Sequence, residues 1–229
     1  MAVRALLFDI DQTLIDFSKT LENALTSTAT YMRETYNIET DPLELQRTRD
    51  KVYQGRKDSQ SSMLVIRRAS FERVLQRHGI TATHADDVLN AFCAIRFGKP
   101  HLMPDVISML EQIPHHISIA AVTNGNSHPD QIGLGEFFDV VVKSEDFPFT
   151  KPDPRIFEAA LRLLSIEEPS STYHVGDSIK NDVAGAKAAG INSIWYNPKG
   201  EDSPLEIKPD YEIRGLLEIP ALISELSVH

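Results

Sequence analysis

Asp9 and Asp11 interrupt the apolar run LLFDIDQTLI at residues 6–15. Two apart on an extended chain, their side chains share one face. Close to a core, two carboxylates repel each other and lose hydration, so both stay ionised only beside a compensating cation. Further polar groups stand where later apolar runs end. VTNGN offers Thr123 and Asn124, TKPDP offers Lys151, and GDSIKND offers Asp177, Ser178, Asn181 and Asp182. Asp9, Asp11 and Asp177 supply hard oxygen donors without His or Cys, a set suited to Mg²⁺. Lys151 and the Thr123 hydroxyl remain to hold an anion beside the metal. In such a site a carboxylate can attack phosphorus while the cations neutralise the phosphoryl oxygens. A second carboxyl can protonate the leaving oxygen and later deprotonate water.

These groups need a scaffold that brings distant segments together. Strand-like runs recur at residues 3–9, 117–123, 140–144, 171–176 and 192–197, with a weaker one at 210–214. Most are continuously apolar, as in parallel strands covered on both faces. Helical patterns lie between them, at 104–113, 153–165 and 181–190, the last ending in Gly190 as a C-cap. Alternating β and α units predict an α/β fold with a doubly wound parallel sheet. In such a sheet the ligand crevice lies outside the carboxyl ends of the strands, where the polar groups stand.

Residues 17–97 break this rhythm with helical patterns and no convincing strand. The expectation is a core of residues 1–16 and 98–229, with an inserted helical cap of 17–97 over the first strand's carboxyl end. Within the cap, VYQGRKDSQSS (52–62) reads as a polar loop. There Gln54, Arg56 and Lys57 would face the remote end of a substrate, although the stretch reads equally as a solvated surface loop. Arg67 and Arg68 are a second pair of candidate cations.

Composition narrows the partners. The 229 residues carry a formal net charge of -10. That field disfavours nucleic acid and anionic membrane surfaces, but a metal and a few local cations can reverse it for a small anionic substrate. Cys93 is the single cysteine, so no internal disulfide forms, which suits a reducing cytoplasm. No apolar run reaches membrane-spanning length. A monomer and a homodimer are equally compatible with the sequence. His115 and His116 read as surface residues, His174 as a satisfied core histidine, and Trp195 as packing on the fifth strand.

The motifs FDIDQTL, VTNG, KPDP and GDSIKND, in this order, resemble the haloacid dehalogenase-like (HAD) hydrolase superfamily. The helical insertion after the first motif is similar to its C1-cap arrangement. The resemblance implies a Rossmann-like core and a role for each matching residue. Asp9 would be the nucleophile, passing through an aspartyl-phosphate. Asp11 would be the general acid/base and would ligate Mg²⁺ through its backbone carbonyl. Thr123 and Asn124 would bind the phosphoryl group, Lys151 would pair with Asp9 and phosphate, Asp177 would complete the metal site, and Asp182 would support it from behind the ligands. The chain departs from many members at Gln12, where they carry Gly; this leaves the loop and the substrate open. Dehalogenases of this fold typically lack the second aspartate, so Asp11 favours phosphoryl transfer. A phosphatase of a small phosphate monoester is expected, of nucleotide, flavin-precursor or sugar type. A phosphomutase or dehalogenase of the same fold, or a non-catalytic metal- or protein-binding relic, are the alternatives.

Overall fold

Chain segments that are apolar on both faces form strands only where helices cover both sides of a sheet. The computed structural model, which describes residues 3–55, 62–203 and 206–227, has this arrangement. Its strands are β1 (Ala5–Phe8), β2 (Ser118–Thr123), β3 (Val140–Lys143), β4 (Thr172–Gly176), β5 (Asn192–Tyr196) and β6 (Tyr211–Ile213). They form one sheet in the order β3-β2-β1-β4-β5-β6, with every pairing parallel. The expected fold class is therefore the observed one. β1 is buried at every residue and lies between β2 and β4, with Phe8 level with Ala121 and Val175. The segment next after each of these three strands thus emerges at one edge of the sheet.

The chain divides into two compact units, one formed by Met1–Asp16 with Leu102–His229 and the other by Phe17–His101. The first holds the sheet with helices α5 (Val106–Glu111), α6 (Pro154–Leu163), α7 (Ala184–Ala188) and α8 (Glu218–Ser227). α6 starts where Asp153 caps it, accepting from Arg155 N, with Pro154 at the first helical position. Its buried stripe of Ile156, Phe157, Ala160 and Leu161 packs with Leu7, Ala120, Val122 and Val142. Before α7, residues Ile179–Val183 form a π-helical turn rather than α-helix, and Gly190 follows at a φ of 74°, as a C-cap requires.

The second unit is all helical, with α1 (Phe17–Tyr36), α2 (Pro42–Gln54), α3 (Met63–Arg77) and α4 (Ala85–Arg96). α1 buries Ala24, Leu25, Thr28 and Met32, positions that return to one face of a helix. Ala24, Leu25 and Met32 join Leu45, Phe71, Val74, Val88 and Phe92 in a core of their own. The unit continues to His101, whose N–H donates to Thr20 Oγ1 at 2.9 Å. No helix among the described residues is long and apolar enough to cross a membrane.

Candidate active site

The carboxyl end of β1 runs directly into Asp9, whose N–H donates to Val175 O on β4 at 2.9 Å. Asp9 is only 6% exposed. Its Oδ1 accepts from Lys151 Nζ at 2.5 Å, and its Oδ2 accepts from Thr13 Oγ1 at 3.3 Å. Lys151 Nζ also donates to Asp182 Oδ1 at 2.7 Å. Asp182 in turn accepts from His174 Nε2 at 2.9 Å on Oδ1 and from Ser178 N at 3.0 Å on Oδ2. Since the His174 partner is a carboxylate, Nε2 carries the ring proton. The result is a buried line His174–Asp182–Lys151–Asp9, drawn from β1, β4, the loop before α6 and the π-helical turn.

Loop chemistry positions the remaining groups. Thr13 Oγ1 accepts from Asp177 N at 3.1 Å and so ties the first loop to the fourth. The Asp177 carbonyl accepts from Trp195 Nε1 at 2.8 Å, which gives that ring a polar task besides packing. Asn124 places its side-chain amide against the backbone of Lys151, and its own carbonyl accepts from Ser144 Oγ at 3.1 Å. Thr123 is fully buried, and its Oγ1 accepts from Gly125 N at 2.9 Å. Asp11 Oδ1 accepts from Ser127 Oγ at 2.8 Å. A Cβ at Gly125 would stand 2.2 Å from Asp11 Oδ2, so only glycine leaves room for that carboxylate. Gln12 adopts a φ of 68°, the left-handed region where glycine is at ease and an L-residue is strained. Its N–H donates to Ile15 O at 2.8 Å, closing the turn that carries Asp11.

Crowded carboxylates control the electrostatics. Burial pushes Asp9 up to about 8; Lys151 pulls it down, while Asp182 and Asp11 push it further up. Burial and Asp182 likewise raise Asp177 to about 6. At Asp182 burial opposes ionisation, but Lys151 and His174 outweigh it and hold the carboxyl below its ordinary value. At Lys151 the same contest ends upward, because Asp182 and Asp9 outweigh burial. Burial depresses His174, so the imidazole is neutral.

Asp9, Asp177 and Asp182 present oxygen atoms that all lie within 4.8 Å of one another. An oxygen-only set of this span fits a hard divalent cation, since opposite ligands of octahedral Mg²⁺ stand about 4.2 Å apart. Asp182 has both oxygens engaged by protein donors, whereas Asp177 is partly open to solvent. The Asp11 side chain lies outside this group and turns to Ser127.

The core-motif residues thus gather at one place: Asp9, Lys151 and Asp182 in direct contact, Asp177 beside them, and Asp11, Thr123 and Asn124 on the adjoining loops. Arg56 and Lys57 lie outside the described residues. Sequence reasoning missed three supporting groups: Ser127, the link from His174 to Asp182, and the side-chain role of Asn124. Only Ser127 carried any local signal, as a hydroxyl four residues after the VTNG threonine.

The family model of haloacid dehalogenase-like hydrolases matches residues 3–190. The chain is a HAD-like hydrolase. Among its HAD-like relatives, the 5-amino-6-(5-phospho-D-ribitylamino)uracil phosphatase YigB of Escherichia coli is 28% identical, and the match covers 96% of both chains. Glyceraldehyde 3-phosphate phosphatase of Methanopyrus kandleri is 31% identical, over 98% of this chain and 99% of that one. A crystal structure of 2-haloacid dehalogenase from Pseudomonas syringae matches with a TM-score of 0.84 at 27% identity, over 98% of this chain and 99% of that one.

Proposed function

We propose that this HAD-like hydrolase is a Mg²⁺-dependent phosphatase of a small-molecule phosphate monoester. The observation that carries the reading is the pair of carboxylates on one turn. Asp9 is held by Lys151, and Asp11 is held separately by Ser127 in space that Gly125 leaves open. Two carboxylates in different surroundings suit two different tasks.

Asp9 Oδ2, bonded only weakly to Thr13 at 3.3 Å, is the oxygen we assign to attack on phosphorus, because Oδ1 is committed to Lys151. Attack forms an Asp9 acyl phosphate and breaks the ester P–O bond. Asp11 gives its proton to the departing oxygen and then takes one from the water that cleaves the acyl phosphate. Lys151 offers charge to the phosphoryl oxygens, and the Thr123 hydroxyl offers a donor. Asp182 serves to fix Lys151, since both its oxygens are already taken. Asp9 and Asp177, with the Asp11 carbonyl, would hold Mg²⁺, which supplies Lewis-acid stabilisation of the phosphoryl charge. The neutral tendency of Asp9 and Asp177 when clustered supports this assignment, because a divalent cation would return both to the ionised form.

Two of the relatives above are phosphatases of small phosphorylated molecules, which agrees with this reading. The dehalogenase match favours a second one, displacement of halide from a 2-haloacid by Asp9. A halide leaves without a proton, so that reaction gives Asp11 nothing to do. We place the activity in the cytoplasm, on the strength of the single cysteine. The test is hydrolysis of an aryl phosphate with and without Mg²⁺, beside halide release from 2-chloropropionate, for the wild type and Asp9→Asn. Metal-dependent phosphate release that vanishes in Asp9→Asn is expected. Halide release without phosphate release would sink the proposal.

A further inference from the structure

A histidine stands in the middle of the sheet without touching Asp9. His174, on β4, is 1% exposed and level with Leu7 of β1 and Ser193 of β5. An apolar residue would fill that place without losing hydration, whereas a buried imidazole needs a polar partner. Its Nδ1 has no hydrogen-bond partner, and its Nε2 donates to Asp182 Oδ1 at 2.9 Å. An edge-to-face contact with Phe157 of α6, at 4.9 Å between ring centres, holds the ring from another side. Gly176, two residues on along the same face of β4, lets Asp182 settle against the strand, since a Cβ there would stand 2.3 Å from Asp182 Cγ.

The Asp182 carboxylate takes three donors, and they differ in what they are attached to. Ser178 N, at 3.0 Å on Oδ2, heads the turn that carries Asp182 and moves with it. Lys151 Nζ, at 2.7 Å on Oδ1, is the group being placed. His174 is the donor that ties the carboxylate to the sheet, and it shares Oδ1 with Lys151. The neutral imidazole adds a donor without adding a charge, so the ammonium keeps Asp182 and Asp9 as its two counter-ions. Lys151 in turn holds Asp9 Oδ1 and leaves Oδ2 turned to Thr13. We propose that His174 is a positioning residue for the reaction of Asp9: its Nε2–H fixes Asp182, and Asp182 fixes the ammonium that orients the nucleophile. The kinetic consequence rests on the phosphatase reading; the placement of Lys151 does not.

The test compares the full chain as wild type, His174→Met, His174→Asn, His174→Gln and Asp182→Asn, with the double variants at 174 and 182. Methionine fills the space without a donor, asparagine carries a donor that stops short of Asp182, and glutamine brings its amide nitrogen to the place of Nε2. On an aryl phosphate with Mg²⁺, kcat/KM should fall about 10- to 100-fold in the Met and Asn variants, the scale of a small misplacement of reacting groups. His174→Gln should stay close to wild type. In the Asp182→Asn background the same changes at 174 should cost little more, because the path they act through is already cut. A histidine that only fills the core predicts equal losses for Met and Gln, and losses that multiply with Asp182→Asn. Either result overturns the proposal, as does full activity in a Met or Asn variant that urea melts show to be destabilised. His174→Asn decides the matter if His174→Met fails to fold. Nitrogen NMR of the Lys151 ammonium gives a readout without turnover: its signal should shift in the Met and Asn variants and hold in His174→Gln. If the wild type hydrolyses no ester, the phosphatase reading fails, while the ammonium signal still judges the placement; a signal unmoved in every variant overturns it.

Discussion

Asn124 grips the backbone of Lys151 with both ends of its side-chain amide: Nδ2 donates to Lys151 O at 3.0 Å, and Oδ1 accepts from Lys151 N at 2.9 Å. The loop after β2 therefore sets the position of the lysine that pairs with Asp9. An amide can make both bonds, whereas a carboxylate or an aliphatic side chain cannot. Asn124→Ala should lower kcat/KM by about 5- to 150-fold, the equivalent of two hydrogen bonds of about 0.5–1.5 kcal/mol each. Asn124→Asp keeps the acceptor and should retain part of the activity. Steady-state kinetics on one aryl phosphate, beside a urea melt for each variant, checks both. Equal kinetics for Asn124→Ala and wild type would exclude the clamp.

Lys151 is the shared counter-ion of two buried carboxylates, Asp9 and Asp182. Lys151→Met strands both, and removing one partner of a buried ion network costs about 3–5 kcal/mol. The sign of the pH effect follows from the same charges. Without the lysine both carboxyls rise above their unfolded values, so the folded protein holds protons that the unfolded chain has released. The loss should be greatest at alkaline pH and shrink on acidification. Chemical denaturation of both proteins across pH reads this directly, and a loss that grows toward acid pH would contradict it.

In the metal-free protein Asp9 stands near 8 and Asp177 near 6, both above the ordinary 3.8. A raised acid binds more protons folded than unfolded, so these two groups make stability fall as pH rises from about 4 to about 8. Asp182 is depressed and opposes this only at the acid end, below its unfolded value. Saturating Mg²⁺ should remove the decline and raise Tm most at alkaline pH, where the carboxylates are free to bind it. Melting curves with chelator and with Mg²⁺ over that range make the comparison. A metal-induced shift that is independent of pH would argue against these carboxylates as the binding group.

Gly125 faces Asp11 Oδ2 so closely that an added methyl must displace the carboxylate. Gly125→Ala should therefore impair proton donation more than nucleophilic attack. Alkyl phosphates need that proton, whereas an aryl phosphate with a good leaving group hardly does. The expected signature is a drop in kcat of about 100-fold or more on the alkyl ester, a typical worth of general acid catalysis. The aryl ester should fall much less. A parallel loss on both esters would point to general disruption of the loop instead.

Gln12 occupies a left-handed turn that glycine would adopt without strain. Gln12→Gly should change stability by less than about 1 kcal/mol, because relief of strain is offset by the greater freedom of the unfolded chain. A large change in either direction would show that the Gln12 side chain contributes more than its backbone angle suggests.

The parts of this molecule that could be read from sequence are those governed by short-range pattern. Runs such as LLFD and YHVG announce buried parallel strands, and their polar successors, Asp9 and Asp177, announce the rim of the sheet. The departure at Gln12 was also visible, and its φ of 68° bears out the concern about a residue without glycine's freedom. What remained hidden depends on loop paths. Asn124 was expected to bind the phosphoryl group, yet its side chain spans to the backbone of a residue 27 positions away. His174 was expected to be a satisfied core residue; it is buried and its Nε2 pairs with Asp182 across a π-helical turn, but its Nδ1 has no hydrogen-bond partner. No local periodicity encodes such meetings. The cations of the loop at Arg56 and Lys57 lie outside the described residues, while Arg67, named only as a second option, is deeply buried.

The order of strands has a consequence for biosynthesis. β1 leaves the ribosome first, yet its neighbours are Ser118–Thr123 and Thr172–Gly176. Closing loops of that length precedes any reward from pairing, so assembly of this sheet belongs to the slow, non-local class. Until then an apolar segment with two unpaired edges waits exposed, a hazard for chaperones to contain. A nascent chain halted before Asp182 lacks the carboxylate that anchors Lys151, so synthesis must pass that residue before the first turnover.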